Sequence, residues 1–447
     1  DQKQKLSIIR EFGSVGGISR GGGWVPIEPN EQFDWLNQRD AGFDAFIKIG
    51  DKKDRSSPVI FAGYSAGVKS NRDAWAYNAS RTMLLSNMER MIDFYHLCLT
   101  DPERSDLNDA TKISWSWVLR ERFKKGRSAD FSPSKAVTAI YRPYLKTNLY
   151  YDGFFNENRY QIPLAFPDDG RPNRALMLKQ RWSGDGQFAL MIDAVPELQT
   201  DGGTQCFPLY LYDQQENEPG GLFDGQSSGI QRRDAITDAG LNHFQAAYPG
   251  QEITKEDIFY YVYGLLHSEE YRERYADNLT KELPRIPCVK TYADFRALSG
   301  AGRQLGDLHV NFETVEPYPV TIKQGDLRLA SIDNPEKFFR VEKMKFAGKR
   351  GDQDKTTVIY NNNITMQDIP LEAYDYVVNG KPALEWVMER QVVKVDKASG
   401  IVNDANDYAN ETMNNPAYPL ELFQRVITVS LETMKIVRNL PKLDIQE

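Results

Sequence analysis

The sequence is poor in the residues that build disulfide frameworks and metal centres. Only three of its 447 residues are cysteines (Cys98, Cys206 and Cys288), and no two of them form a CxxC pair. The four histidines are scattered, without the i, i+4 spacing of a helical metal site. We therefore predict neither a disulfide framework nor a metal site, and a reducing cytoplasm as the compartment.

Long apolar runs are also missing. No stretch approaches the roughly 20 apolar residues that a helix needs to cross a bilayer. With 40% hydrophobic and 26% charged residues, the composition is typical of a soluble globular protein without a membrane segment. The length exceeds what one hydrophobic core usually supports, so we expect two or three lobes.

The glycine-containing motifs of nucleotide enzymes are absent as well. The segment Tyr64–Trp75, YSAGVKSNRDAW, matches neither GxxxxGK[ST] nor GxGxxG. We favour a strand-to-helix turn, because Asp73 can neutralise Arg72 locally. The alternative is a polar loop in which Lys69, Asn71 and Arg72 face a DNA backbone.

One tetrapeptide points to methyl transfer. Asn415-Pro416-Ala417-Tyr418 is similar to the Asn-Pro-Pro-Tyr with which amino-methyltransferases hold the target base amine. Alanine replaces the second proline, and no glycine-rich loop for a methyl donor precedes the motif. A helix-entry turn is favoured, a self-contained adenine-specific DNA methyltransferase fragment stays open, and a carbohydrate-binding protein is a weaker alternative.

Charge is distributed unevenly along the chain. A net charge of -8 argues against a protein that coats nucleic acid with its whole surface. The segment from Lys112 to Lys146, however, has nine basic residues against Glu121 and Asp130. This basic strip can attract phosphates without selecting a sequence, and a solvated helix face is the alternative.

Sequence choice needs Arg, Asn or Gln side chains that reach base edges in the major groove. Predicted loops contain such side chains at Arg181, Gln231-Arg232-Arg233 and Arg303-Gln304, although each could instead cap or bridge its neighbours. The candidate DNA-binding residues are Lys69, Arg72, Arg120, Arg122, Lys124, Lys125, Arg127, Arg142, Lys146, Arg181, Arg232, Arg233, Arg303 and Gln304.

The apolar periodicity predicts a mixed α/β (α+β) fold, with a helical N-terminal part, a β-rich middle lobe, and a helical and mixed C-terminal part. The opening DQKQKLSIIREF predicts a helix already under way, and we expect a piece of a longer polypeptide. Glycine turns are expected at Gly21–Gly23 and Gly220–Gly221. The main predicted helices are Arg81–Leu99, Asp109–Lys125, Asp234–Ala247, Lys255–Leu266, Glu269–Leu279, Tyr292–Leu298, Ala383–Met388 and Leu420–Leu440. The main predicted strands are Val59–Phe61, Val137–Tyr141, Ala175–Leu178, Phe188–Ile192, Phe207–Tyr212, Thr356–Tyr360 and Gln391–Val395.

The most informative segment is Asp257–Pro287, DIFYYVYGLLHSEEYRERYADNLTKELPRIP. It combines an aromatic helix, a His267 that is predicted to be buried, a charged helix and the rigid segment Pro-Arg-Ile-Pro that follows this helix. It resembles the C-terminal specificity (target-recognition) region of type ISP restriction-modification enzymes. The resemblance extends over nearly the whole chain, through WVPIEPNEQFDWLNQRD, GDKK, YSAGVKSNRDAWAYN, YRPYLKTNLYY, FPLYLY, GRQLGDLHVNFE, GKPALEWVMERQ, SGIVNDAND and PLELFQRVITVSLETMKIVRNLP.

The resemblance implies a division of the chain and a function. Members of that family carry a nuclease, an ATP-driven translocase, an adenine methyltransferase and a target-recognition domain in one polypeptide. Residues 1–130 would be the methyltransferase tail and a helical connector. Residues 131–447 would be the target-recognition domain, with a β-rich lobe at about 131–220 and a helical and mixed lobe at about 221–447.

By the same resemblance, the chain would select the duplex DNA sequence on which attached methyltransferase, helicase and nuclease domains act. S-adenosylmethionine, ATP and Mg²⁺ would bind those upstream domains, and no cofactor is predicted in this chain. No catalysis is expected of the chain in isolation.

Overall fold

A computed structural model of the chain describes residues 2–13, 17, 25–54, 56–200, 202–214, 230–325, 332–349 and 351–446. The glycine turns expected at Gly21–Gly23 and Gly220–Gly221 lie outside these ranges. The predicted mixed α/β fold is confirmed. Among the described helices, none combines the length and apolar character that crossing a membrane requires.

Helices and short strands alternate in the N-terminal part. The expected opening helix is α1 (Gln2–Phe12), and the predicted helix after Ser80 begins where the Ser80 hydroxyl accepts a hydrogen bond from the Met83 amide at 2.9 Å. The further elements are β1 (Ile47–Lys48), β2 (Ser65–Ala66), α2 (Asp73–Ala76), β3 (Tyr77–Asn78), α3 (Arg81–Thr100) and α4 (Trp117–Lys124).

Two predictions in this part are wrong in detail. The segment Val59–Phe61 is not a strand but makes two isolated bridges, from Val59 to Lys48 and from Phe61 to Ile236. The helix predicted from Asp109 begins only at Trp117, because the Ser116 side chain caps it by accepting from the Leu119 amide. Its predicted stop is present, since Gly126 takes a left-handed φ of 66°.

The middle of the chain is rich in strands, as predicted. Two four-stranded sheets have the orders β3-β5-β4-β8 and β2-β9-β6-β7, and β10 pairs with β11 in a separate hairpin. The elements are β4 (Ala136–Arg142), β5 (Leu145–Tyr150), α5 (Ile162–Ala165), β6 (Ala175–Lys179), β7 (Ala189–Ile192), β8 (Val195–Pro196), β9 (Thr204–Pro208), β10 (Tyr210–Gln214) and β11 (Ile230–Asp234).

The hairpin corrects two expectations. The single strand predicted at Phe207–Tyr212 is divided at Leu209, whose amide donates to the carbonyl oxygen of Arg174 at 2.8 Å. The predicted loop at Gln231–Arg233 is part of β11, with Arg232 opposite Tyr212 and Arg233 opposite Leu211. Residues Gln231 to Asp234 of β11 are exposed. Because this strand buries neither face, it needs no alternation of polar and apolar residues, and its sequence resembles that of a loop.

The C-terminal part mixes helices with short antiparallel strands. The helices are α6 (Asp238–Ala247), α7 (Lys255–His267), α8 (Glu269–Arg274), α9 (Ala276–Leu279), α10 (Tyr292–Val310), α11 (Pro335–Phe339), α12 (Ala383–Arg390), α13 (Ala405–Asp407) and α14 (Tyr418–Arg438). The strands are β12 (Arg285–Ile286), β13 (Thr321–Ile322), β14 (Lys345–Lys349), β15 (Asp352–Ile359), β16 (Thr365–Gln367), β17 (Val377–Val378), β18 (Lys381–Pro382), β19 (Val393–Val395) and β20 (Val402–Asp404).

The sheet β2-β9-β6-β7 separates two hydrophobic cores. On the inner strand β6, Ala175 and Met177 belong to one core, while Leu176 and Leu178 belong to the other. Successive strand residues point to opposite faces, so a strand covered on both sides is apolar throughout. The first core contains residues from Val68 to Met434 and thus draws on each predicted lobe. The boundaries at residues 130 and 220 stay predictions.

Helices α7 and α10 cross with their backbones in contact. A Cβ atom added to Gly264 would collide with the carbonyl oxygen of Leu298, and one added to Gly302 would collide with that of Tyr260. One turn further along α10, a Cβ at Gly306 would meet the sulfur of Met191 in β7 at 2.5 Å. Gly302 and Gly306 are therefore contact positions inside the helix, and α10 continues to Val310, beyond the predicted end at Leu298.

We expect Gly302→Ala and Gly264→Ala each to lower the unfolding free energy by about 2 kcal/mol or more, because the added methyl group pushes two helix backbones apart. Gly300→Ala is the matched control on the same helix, since a Cβ there meets nothing within 4 Å. It should be neutral or stabilising by up to about 1 kcal/mol. Urea unfolding followed by circular dichroism measures all three, and equal midpoints for Gly300→Ala and Gly302→Ala would contradict the crossing.

Two histidines are buried between the helices that form this crossing and the C-terminal helix. The Nδ1 of His267 donates to the Tyr263 carbonyl oxygen at 2.9 Å, and the His309 ring bonds to the hydroxyls of Tyr263 at 2.6 Å and Thr433 at 2.8 Å. Burial lowers the pKa of His267 to about 3 and that of His309 well below its usual value. Both rings are neutral at neutral pH, and the burial of His267 agrees with its prediction as a buried residue.

These histidines predict an acid-sensitive fold. The unfolded chain binds their protons near the ordinary histidine pKa of about 6.5, whereas the folded chain does so only at much lower pH. Stability is therefore fully present above about pH 6.5 and falls below it, by up to about 1.4 kcal/mol per pH unit for each histidine. Urea midpoints between pH 7.5 and 5.5 should fall more steeply for the wild type than for His267→Leu. Parallel slopes would refute this assignment.

Candidate nucleic-acid interface

The basic strip divides into an exposed group and a structural group. Arg120, Lys124, Lys125 and Arg127 are exposed around the C-terminal end of α4, and we call them the α4 cations. The Arg120 guanidinium donates to Asn108 Oδ1 at 2.8 Å and stands 5.2 Å from the Trp115 ring centroid. Lys124 forms a solvent-exposed ion pair with Glu121 at 2.9 Å, which holds it weakly.

Other residues of the basic strip form hydrogen bonds or ion pairs within the protein. Arg122 donates to the carbonyl oxygens of Phe154 and Gly153, lies 5.0 Å from the Phe154 ring centroid, and has its pKa lowered by burial. Lys146 bridges Asp193 at 3.4 Å and Glu313 at 3.2 Å. The expectation that these cations form one phosphate-binding face with the α4 cations is therefore corrected.

Arg142 is also bound inside the fold. Its guanidinium pairs with Glu197 at 2.8 Å and stands 4.2 Å from the Tyr141 ring centroid, and the two charged side chains are only 15% and 5% exposed. Burial raises the pKa of Glu197 to about 7, against the lowering effect of Arg142. Arg142 thus offsets part of the effect of burial on Glu197 and presents little charge to solvent.

Arg72 corrects the alternative reading of the turn after Tyr64. It is 3% exposed, and its guanidinium donates to Ser114 O at 3.2 Å, to Ser116 Oγ at 2.8 Å and to the carbonyl oxygen of Phe155. Burial lowers its pKa to about 10. The expected neutralisation by Asp73 is not observed, because that carboxylate accepts from the hydroxyls of Ser70 and Tyr141. Lys69 is half-buried, and its backbone pairs with Asn158.

The residues expected to read bases lie in three places. Arg232 and Arg233 are on β11, with Arg232 4.3 Å from the Tyr210 ring centroid and Arg233 paired with Asp213. Arg303 and Gln304 are on helix α10 and not in a loop, and Arg303 pairs with Glu256 at 2.8 Å. Arg181 is exposed in the connection between β6 and β7.

Arg181 borders the largest of the grooves that we describe, with a volume of about 610 Å³. Three cations in its lining are paired, because Lys48 contacts Asp51, Lys281 contacts Asp34, and Arg285 contacts Asp44. Among the described residues, no carboxylate lies within ion-pair distance of the other three, and these are Lys52, Lys53 and Arg181. The polar lining also includes the amides of Gln180 and Gln205, the carboxylates of Asp51 and Glu282, and the hydroxyls of Tyr64 and Tyr160.

Lys52 is fixed in this Arg181 groove by an aromatic stack. Its ammonium lies 4.1 Å from the Tyr64 ring centroid, and Tyr64 stacks on Phe207 with the centroids 4.6 Å apart. Burial lowers the pKa of Lys52. Lys52, Lys53, Gln180 and Gln205 were not predicted as site residues. The adjacent lysines were the available signal, but the groove brings together segments far apart in the sequence.

The Asn-Pro-Ala-Tyr tetrapeptide is a helix-entry turn, as favoured. Asn415 Oδ1 accepts from the Ala417 amide at 3.0 Å, and its amide nitrogen donates to Glu421 at 3.0 Å. Tyr418 is 2% exposed and donates to Glu313 at 2.6 Å. These side-chain groups are used within the turn, an arrangement that does not favour binding of a base amine.

Comparisons with known proteins agree with this architecture. The Type ISP C-terminal specificity domain family matches residues 59–422. The solved ATP-dependent Type ISP restriction-modification enzyme LlaBIII bound to DNA is similar over 100% of this chain and 27% of its own, at 34% identity and a TM-score of 0.83. A nuclease-deletion mutant of the Type ISP enzyme LlaGI, in complex with a DNA substrate mimic, is similar over 100% and 38%, at 34% identity and a TM-score of 0.80.

A third solved structure, a DrdV–DNA complex, covers 94% of this chain and 41% of its own, at 28% identity and a TM-score of 0.76. The chain thus spans between about a quarter and two fifths of the length of these relatives. No curated protein sequence matches it.

The structural role of the Arg142–Glu197 ion pair can be tested by removing the arginine. We expect Arg142→Met to lower the unfolding free energy by about 1–3 kcal/mol, because it leaves a buried carboxylate without its charged donor. Without Arg142 the pKa of Glu197 should rise further, so the loss should be greater at pH 8.5 than at pH 6.5.

The matched control for this test is Lys124→Met, which removes a 69% exposed cation from the same basic strip. It should change stability by less than about 0.5 kcal/mol at either pH. Guanidinium unfolding at the two pH values measures both variants, and an Arg142→Met loss no larger than that of the control would show the pair to be unimportant.

Proposed function

The chain belongs to the Type ISP C-terminal specificity domain family, and we propose that it selects the duplex DNA sequence on which the rest of such an enzyme acts. The observation that carries this proposal is the similarity of the whole chain to enzymes solved with DNA or a DNA mimic. The expectation drawn from sequence resemblance, that the chain is a specificity region of this kind, is confirmed at the level of the family.

We infer that the Arg181 groove reads bases. A guanidinium can donate to both N7 and O6 of guanine, and a glutamine amide can pair with adenine through N6 and N7. Arg181, Gln180 and Gln205 supply these two kinds of side chain at one site. Lys52 and Lys53 beside them supply charge for the phosphates that flank such bases.

The α4 cations support a second, sequence-independent contact. Each lysine or arginine that neutralises a phosphate releases counterions, so its contribution to affinity falls with increasing salt. Because the molecule as a whole is acidic, with a net charge of -8, such local groups of exposed cations decide where a duplex can approach. The carbohydrate-binding alternative has no comparable support.

We further propose that this chain has no catalytic activity alone, and that S-adenosylmethionine, ATP and Mg²⁺ bind other domains of a longer cytoplasmic polypeptide. A surface for such domains is available near the N-terminus. Val25, Phe33, Trp35 and Leu36 are 78%, 81%, 60% and 69% exposed, which is unusual for side chains of this size. Covering them by attached methyltransferase, helicase or nuclease domains would remove apolar surface from water.

DNA binding tests the proposal directly. Duplexes selected from a randomised pool by the chain give the recognised sequence, and fluorescence anisotropy gives affinities at several salt concentrations. Arg181→Ala should relax specificity at one position by about 1–3 kcal/mol. Lys52→Ala with Lys53→Ala should weaken binding to all duplexes and reduce the salt slope by about 1 to 2.

Lys290→Ala is the control, because Lys290 is a 65% exposed lysine outside the groove lining, and it should leave both quantities unchanged. If the chain shows no salt-dependent binding to any duplex, the proposed function is wrong. If it binds but Arg181→Ala keeps full specificity, the bases are read elsewhere on the surface.

A further inference from the structure

A second concave site lies between strand β4 and the region that follows helix α12. This Tyr77 cleft has a volume of about 140 Å³, and its polar lining includes Tyr77, Tyr141, Lys146, Arg390, Gln391 and Lys394. It shares no lining residue with the Arg181 groove and contains none of the α4 cations. Neither its charge nor its polar groups are explained by base reading at that groove.

Positive charge accumulates at the cleft without matching acids. Arg390 ends α12, Lys394 lies on β19, and within the described ranges no carboxylate is within ion-pair distance of either. Burial and nearby cations lower the pKa values of both, through Arg142 for Arg390 and through Arg390 for Lys394. Burial is the larger cause in each case, and repulsion between the cations adds to it.

Three acidic groups near the cleft are engaged in other contacts. Glu197 pairs with Arg142, and Asp73 accepts hydrogen bonds from Ser70 and Tyr141. Glu389, on the same helix as Arg390, pairs with Lys381 at 2.6 Å. None of these carboxylates lies within ion-pair distance of Arg390 or Lys394, and the charge of Glu389 raises the pKa of both only as a minor cause.

Buried polar groups at the cleft also lack partners. Tyr77 is 3% exposed and Gln391 is 2% exposed, yet the Tyr77 hydroxyl and Gln391 Oε1 have no hydrogen-bond partner, and neither does Arg390 Nε. Leaving such a group unpaired costs about 1–3 kcal/mol, so native proteins keep few of them without a reason. Lys146, in contrast, is satisfied by Asp193 and Glu313.

We propose that the Tyr77 cleft binds a phosphate group, with Arg390 and Lys394 neutralising its charge and the Tyr77 hydroxyl donating to one of its oxygens. Guanidinium and ammonium groups with a phenol donor match a phosphate, which has several strong acceptor oxygens. The phosphate belongs either to a DNA backbone or to a free phosphorylated ligand. The first source rests on the proposed function, whereas the second does not.

Two titrations of the full chain test the inference. Isothermal calorimetry with inorganic pyrophosphate probes a free ligand, and fluorescence anisotropy with the selected duplex probes the backbone. The test variant is Arg390→Gln with Lys394→Gln, and Lys394→Gln alone keeps the test valid if the double variant does not fold, because Lys394 is exposed. The matched control is Lys397→Gln, an exposed lysine of the same β19–β20 hairpin outside the cleft.

Wild-type binding of pyrophosphate that falls at least tenfold in the test variant, but not in the control, supports a free ligand. A salt slope for the duplex that falls by about 1 to 2 in the test variant alone supports a backbone phosphate. If neither titration distinguishes the test variant from the control, the inference is overturned. If pyrophosphate binding is lost in the test variant alone and no duplex binds, the cleft assignment holds while the proposed function fails.

Discussion

The contact between the backbones of α7 and α10 is the constraint on which the rest of the structure depends. Gly264 and Gly302 lack the Cβ atoms that would hold the helices apart, and Gly306 lets α10 lie against Met191 of β7. The Met191 amide in turn donates to the Tyr263 hydroxyl of α7 at 2.8 Å. The helix pair therefore fixes β7, and the sheet to which β7 belongs divides the two hydrophobic cores. The connection between β6 and β7 carries Arg181, so the crossing also sets where the proposed base-reading side chain begins.

The exposure of positive charge is set by tertiary contacts, because several arginines form hydrogen bonds or ion pairs inside the protein. Arg72 and Arg122 donate to backbone carbonyl oxygens that would otherwise be unsatisfied, and Arg142 compensates a buried glutamate. In each case the partner lies more than 30 positions away in the sequence. A basic strip in the sequence therefore shows how many positive charges a segment has. Which of these charges are exposed to solvent depends on the tertiary contacts of each arginine or lysine.

The sequence predicted the elements whose periodicity is long and regular. Helices α3, α7 and α14 were predicted to within a few residues, since an apolar stripe repeated over several turns allows few alternatives. The failures have local causes. The predicted helix ended at Leu298, whereas α10 continues through Gly302 and Gly306, whose contact partners are not visible in the sequence. Ser116 is a stronger start signal for α4 than the apolar residues before it.

Prediction of the site residues was limited because residues that are distant in the sequence come together in the fold. Arg181 was identified because arginine in a loop is suited to base reading, but Lys52, Gln205 and the Tyr77 cleft come together only through sheet pairing and helix packing. Because these residues are far apart in the sequence, no local sequence motif predicts that they form a site. The family resemblance could be stated from sequence because its segments recur in order along the chain, which requires no knowledge of their positions in space.

Specific recognition also requires that the reading side chain start from a fixed backbone. The residues flanking Arg181 meet this condition, because the Gln180 amide donates to Gly203 O at 3.2 Å and the Trp182 amide to Leu279 O at 2.9 Å. The Trp182 indole nitrogen donates to Gly186 O at 3.0 Å, which closes the loop on itself. A guanidinium presented from such a loop loses little backbone entropy when it binds, so more of its hydrogen-bond energy is available to discriminate between bases. The α4 cations, which are exposed to solvent, are suited to affinity without selection.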